Sequence, residues 1–216
     1  MTEQPTDVPT DADQLRALVR VMDRLRSPGG CPWDAQQTHE SLVPYALEEA
    51  YELAEAIETG DRPGLREELG DLLLQVVFHA RIAAEHPTDP FDVDDVAADL
   101  VAKLVRRHPH VFEDADVDGD LHVQWDRLKK AEKQRASALD GVPLALGALA
   151  RAQKIAGRAA RAGLTAEPPT GDGLGERLLA LVLAAEAGGV DAEGALRRAA
   201  TAWEQDLRAG ERAADS

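Results

Sequence analysis

Residues 68 to 83 read ELGDLLLQVVFHARIA, a stretch that is apolar almost all the way round when coiled into a helix, yet carries Glu68 and Asp71 near its start. At about 100° per residue, Leu69, Leu72, Leu73, Leu74, Val76, Val77, Phe78 and Ile82 surround the axis, while Glu68, Asp71, Gln75 and His79 share one side. A helix without a wide polar face must be covered by other helices. Two ionised carboxylates on it need cations beside them or must take up protons. Bases are scarce there, with only Arg66 just before the stretch and Arg81 within it. This one stretch therefore asks for a multi-helix bundle and for something positive at Glu68 and Asp71.

The preceding segment, PYALEEAYELAEAIE at 44 to 58, sharpens the demand. Glu48, Glu49, Glu52 and Glu55 fall on one side of its helix, and Leu47, Ala50, Tyr51, Ala54 and Ile57 on the other. Glu55 and Glu58 read as an ordinary wet face. The connection TGDRPG is short, so the two helices are expected to lie antiparallel, with Glu49 and Glu52 opposite Glu68 and Asp71. Four facing acids repel one another, and a divalent cation resolves the conflict. Oxygen ligands, with a single cysteine in the chain and no evident histidine pair, favour Mg²⁺ or Mn²⁺ over zinc. His79 reads as a packed histidine rather than a ligand.

The rest of the chain agrees with an all-α fold. Aromatics make up only 4% of residues and alanine is abundant, which suits close helix packing more than strands. The 40 acidic against 24 basic residues leave a net charge of −16, a field that repels nucleic acid and anionic membranes. The lone Cys31 fits a reducing cytoplasm. The acidic opening MTEQPTDVPTDADQ does not read as a signal peptide, and no apolar stretch approaches the ~20 residues of a membrane span.

Along the chain, residues 1–10 read as a disordered tail. A helix is expected from near Asp11 to Arg26, broken by SPGGCPWD. The acid-rich helix is expected to begin near Pro44, and the Glu68 helix to run to about Glu85. Asp92 should cap a helix reaching RRHPHVF, and further helices are expected at 120 to 136 and from Pro143 to about Arg161. GLTAEPPTGDGLG reads as a linker, followed by two shorter helices. The expected division is a catalytic module at 11–136, a connecting helix and linker at 137–166, and a second module at 167–216.

The ordered set RLRSPGGCPWDAQQTHESLVPYALEEAYEL, LREELGDLLLQVVFHARIA, KLVRRHPHVF and RAQKI resembles MazG-type nucleoside triphosphate pyrophosphohydrolases, all-α enzymes marked by an EExxE and ExxD pair. The likeness covers roughly residues 13 to 164. It implies cleavage of a nucleoside triphosphate between its α and β phosphates, giving the monophosphate and pyrophosphate. It further implies that Glu49, Glu52, Glu68 and Asp71 hold Mg²⁺, with Glu48 as a further ligand or as the base that positions water. By the same likeness Lys103 and Arg107 steady the phosphates, and Trp125 and Lys129 lie near the nucleotide. From the residues alone, Lys103, Arg106 and Arg107 read equally as a basic last turn favoured by the helix dipole, and Trp33 and Trp125 as packing anchors.

The second module departs from that pattern. LGERLLALV at 174 to 182 echoes LGDLLLQVV at 69 to 77, but Gly173 stands where Glu68 stood, and Ala202 and Asp206 stand where Lys103 and Arg107 stood. This half is expected to serve packing or assembly, in a homodimer or larger. The competing expectation is a non-catalytic, metal-binding helical dimer that acts as a sensor or binds a partner protein.

Overall fold

The computed structural model describes residues 13–112, 136–165, 167 and 170–214, and every regular element among them is helical. The chain divides into two compact units, Met1–Glu113 and Asp114–Ser216. The boundary expected at residue 136 falls C-terminal to that division, and the residues between the two lie outside those described, as do the helix expected at 120 to 136 and the N-terminal tail.

In the first unit, α1 (Gln14–Arg26) opens on Asp13, whose carboxylate accepts from the backbone N–H groups of Leu15 and Arg16. Such a cap satisfies donors that have no partner within the helix. The break that follows is tight: a Cβ on Gly30 would collide with the carbonyl of Leu25, so only glycine fits. After α2 (Pro32–Gln36) comes α3 (His39–Thr59), which starts five residues before Pro44. Thr38 and Ser41 form a capping box there, a stronger start signal than the proline, which sits in the second turn. Gly60 ends α3 at φ 72°, and Asp61 caps α4 (Arg62–Ala83) by accepting from Gly64 N–H. A positive φ at this one position folds the two helices into an antiparallel hairpin that packs along its length. Asp92 and Asp95 make a second capping box for α5 (Val93–Arg107), which packs on α4 and leads to the short α6 (Pro109–Phe112).

The core of this unit is Met22, Leu42, Val77 and Phe78, flanked by Leu18, Val19, Leu73, Leu74, Ile82 and Val93. Beside it the Arg26 guanidinium, its side chain only 7% exposed, donates to both oxygens of Glu85 and to the carbonyls of Asp34 and Gln37. It also lies over the Phe78 ring. That fork ties the end of α1 to α2 and to the end of α4.

In the second unit, α7 (Ala148–Arg161) begins later than Pro143, because residues 137 to 147 form turns before Gly147 opens the helix. It packs on α8 (Leu174–Ala187), whose Val182 is fully buried. Gln153 joins the three helices: its amide donates to Glu186 and to the Val190 carbonyl and accepts from Ala192 N–H at the start of α9. α9 (Ala192–Ala214) spans 23 residues, against the expectation of a short helix; with no Pro and only Gly194 and Gly210 inside it, nothing interrupts the run.

Candidate active site

The hairpin turn at Gly60 and Asp61 sets the register of α3 against α4, so residues equally distant from the turn face each other. Glu49 meets Asp71 by this rule, and Glu52 meets Glu68. The side chains follow: Glu49, Glu68 and Asp71 each present a carboxylate oxygen within 4.8 Å of the other two, and all three are half-buried. Glu52 is exposed and lies outside that trio, yet its charge reaches both Glu49 and Glu68. Glu48, also exposed, bears on Glu49.

Burial, and then the charges of Asp71, Glu52, Glu68 and Glu48, push the Glu49 carboxyl above the usual range. Glu68 is raised for the same kind of reason, burial first and then Glu52, Glu67, Asp71 and Asp61. Among the described residues, the charges that shift these two groups are all acidic, which is what an ion-pair network would not show. The donor set fits a small hard cation: octahedral Mg²⁺ at about 2.1 Å from each oxygen places oxygens about 3 to about 4.2 Å apart, a spacing of the order the trio offers.

Glu49 turns toward α4, while Leu47, Tyr51 and Ile57 on the other side of α3 remain more than half exposed. On α4, Leu69 and Val76 are likewise open. Lys103 and Arg107 are half-buried, one turn apart on α5. Trp125 and Lys129 lie outside the described residues. Trp33 is half exposed and packs edge-on against Tyr45 and Phe78, an anchor for the loop after α1.

Two features escaped the sequence reading. His39, forty residues from His79, sits beside it with Nδ1 to Nδ1 at 2.8 Å and the rings parallel. Gln75 is buried. The hairpin register contains the signal for the first, since His39 and His79 are nearly equidistant from Gly60; no start before Pro44 had been assigned, so His39 was not placed on the helix.

Comparison with known proteins bears on this arrangement. The profile of the MazG nucleotide pyrophosphohydrolase domain matches residues 37–112, the span from α3 through α6. A Streptomyces cacaoi protein described as an uncharacterized 26.1 kDa protein in the blaB 3' region is 54% identical over 202 residues, covering 92% of this chain and 83% of that one. Proteins named nucleoside triphosphate pyrophosphohydrolase from Mycolicibacterium smegmatis and Escherichia coli are 48% and 47% identical, over 74% and 70% of this chain. The chain spans 50% and 59% of the length of those two. With the domain match falling on the acid-bearing hairpin and the likeness running over most of its length, the chain belongs to the MazG family of nucleotide pyrophosphohydrolases.

Proposed function

We propose that the chain is a divalent-metal-dependent hydrolase of nucleoside triphosphates, ribo or deoxy, releasing the nucleoside monophosphate and pyrophosphate and so clearing unwanted nucleotides from the pool. The observation that carries this reading is the trio Glu49, Glu68 and Asp71, held together by two antiparallel helices, with acids as the charges that raise Glu49 and Glu68 among the described residues. The expected ion is Mg²⁺, with Mn²⁺ as a substitute, and Glu52 is the fourth acid of the set. Bound there, the ion would neutralise phosphate charge, polarise the attacked phosphorus and lower the pKa of a water.

The chain's own residues divide the remaining tasks. Glu48, exposed beside Glu49, accepts the proton of the attacking water. The bond from the α-phosphorus to its bridging oxygen breaks, and the electron pair leaves with pyrophosphate. Lys103 and Arg107 take up that negative charge, in a chain whose net −16 otherwise repels it. Trp125 and Lys129 are assigned to the nucleotide on family likeness.

The exposed Leu47, Tyr51, Ile57, Leu69 and Val76 support assembly as a homodimer or larger; a monomer at micromolar concentration in sedimentation would refute it. Residues 167–216 are assigned to packing or assembly, because none of the proposed catalytic side chains lies there. None of the described helices is long and apolar enough to cross a membrane, and a nucleotide-pool enzyme with one cysteine belongs in the cytoplasm. No observation favours a non-catalytic sensor. The test is incubation with each nucleoside triphosphate and Mg²⁺: pyrophosphate and monophosphate are expected, lost in EDTA. Orthophosphate and diphosphate would place the cleavage wrongly.

A further inference from the structure

α9 packs on α7 and α8 through its first turns, where Gly194 is buried, and from residue 198 to residue 213 every residue is exposed. A helix without tertiary support over about four turns is marginal in water, even one rich in alanine. Its apolar residues are not scattered. Leu196, Ala200, Trp203, Leu207 and Gly210 recur at alternating steps of four and three, which at about 100° per residue gathers them into one stripe on the side opposite Gly194. Leu196, Trp203 and Leu207 are each more than half exposed, the indole by 66%. Such four-and-three spacing is the pattern of a helix that lies along another helix.

We propose that α9 pairs antiparallel with α9 of a second copy of this chain, Leu196 against Leu207 and Ala200 against Trp203. The inference rests on the assignment of residues 167–216 to assembly and not on the hydrolase reading; it names the surface and the register. The stripe is complementary to itself. In the antiparallel register each tryptophan lies over an alanine, large against small, and the leucines close the two ends. Arg197 and Glu204 occupy one flank of the stripe, seven residues apart. Reversing one helix brings Arg197 beside Glu204 of the second copy, and the twofold axis repeats the pair. Glu204 accepts from Arg208 through Oε1, and Oε2 is left to receive the incoming guanidinium. The parallel register is worse. It stacks Trp203 on Trp203 and sets Asp206 beside Glu211 of the second copy, like charges twice over. An unrelated helix would have to match this order of small, large and charged groups, whereas a second copy matches it by symmetry.

The experiment cross-links the full chain, with Cys31→Ser so that only introduced thiols react. Leu196→Cys and Leu207→Cys proteins are oxidised separately and as a mixture. Both leucines are exposed, so the substitutions leave the fold intact, which circular dichroism checks. The antiparallel register sets the two thiols face to face only in the mixture; in either protein alone they lie ~16 Å apart along the axis, beyond the reach of a disulfide. A covalent dimer is therefore expected on mixing and not from either protein alone. As much dimer from Leu196→Cys alone as from the mixture would mean parallel pairing, and no dimer in the mixture would mean no pairing in this register; each overturns the proposal. Sedimentation over a micromolar concentration series adds a charge reversal. Arg197→Glu and Glu204→Arg should each weaken association about tenfold, and the two together should restore it to within about threefold of wild type. A double variant that does not recover would show that the two groups never meet, and the proposal would fall. Trp203→Glu keeps the two readings apart. If it lowers the sedimenting mass while no disulfide forms in the mixture, residues 167–216 assemble by another register and only the proposal fails; if the mass is also unchanged, the assembly assignment fails with it.

Discussion

Replacing Glu49 by Gln separates a metal site from a structural ion pair, because the two predict opposite changes in stability. The substitution keeps shape and most hydrogen-bonding capacity while removing one charge. Asp71 is the strongest of the charges acting on Glu49, with oxygens within 4.8 Å. Two unit charges at that distance interact by ~0.9 kcal/mol at the dielectric of water, the appropriate choice for half-exposed groups. Relief of about 1 kcal/mol corresponds to ~2–4 °C for a chain of this size. In EDTA the variant should therefore melt at the same temperature as wild type or up to ~4 °C higher. Activity should fall about 100-fold or more, since an atom that holds the ion is lost. Mg²⁺ at 100 times its dissociation constant should stabilise wild type by about 2.7 kcal/mol, and the variant by much less at the same concentration. Scanning fluorimetry in EDTA and in Mg²⁺, paired with pyrophosphate release, reads all three quantities. A drop of several degrees for the variant in EDTA would mean that Glu49 had a cationic partner, and the metal-site reasoning would fail.

Glu49 and Glu68 have raised folded-state pKa values, so the folded metal-free protein binds protons more readily than the unfolded chain and should gain stability as pH falls from 7 toward the ordinary carboxyl value of 4.5. Over the same window the Mg²⁺-induced rise in melting temperature should shrink, because the ion competes with protons; melts in EDTA that weaken steadily from pH 7 to 5 would contradict this. Lys103→Ala should lower kcat/KM for nucleoside triphosphates by about 10- to 100-fold with a melting temperature within 2 °C of wild type, whereas a purely dipole-stabilising lysine would give the contrary pattern of lower stability and unchanged kinetics. Arg26→Met strands the Asp34 and Gln37 carbonyls, leaves Glu85 with Arg81, and should cost about 2 kcal/mol in urea melts; a loss below 1 kcal/mol would show the network to be dispensable.

The acid site was legible in the sequence because two independent periodicities converge on it. The spacing of Glu49 and Glu52 and of Glu68 and Asp71 puts each pair on one helical side, and TGDRPG folds one helix back on the other. What the spacing did not give was which acids come closest. Register places Glu52 opposite Glu68, but side-chain direction brings in Glu49 and leaves Glu52 exposed. The start of α3 lies five residues before the expected Pro44, because the capping box of Thr38 and Ser41 is a stronger start than the proline, a familiar first-turn residue. That one difference hid the His39 and His79 contact. The outward turn of Leu47, Tyr51 and Ile57 was equally unreadable, since periodicity divides a helix into sides without saying which side faces in.

The same residue type behaves oppositely at the two ends of α4, and the contrast explains how the hairpin tolerates its acids. Near the start of the helix, burial and then the charges of Glu52, Glu67, Asp71 and Asp61 raise the Glu68 carboxyl. At the far end Glu85, just past the last turn, receives Arg26 and Arg81, and the Arg26 hydrogen bond first of all holds its carboxyl below the usual range. Arg81 also bonds Asp23 on α1. Basic groups at a helix C-terminus and their partners stabilise that end, so the paired charges and the apolar core of Met22, Leu42, Val77 and Phe78 hold α4 in place from the side away from the carboxylates. On the proposed reading, repulsion at the acid end would be relieved by an incoming cation rather than by separation of the helices, because the hairpin turn at Gly60 and the Arg26 fork hold both ends of α4. Pairing Glu68 as Glu85 is paired would make the hairpin more stable and leave no ligand for a metal.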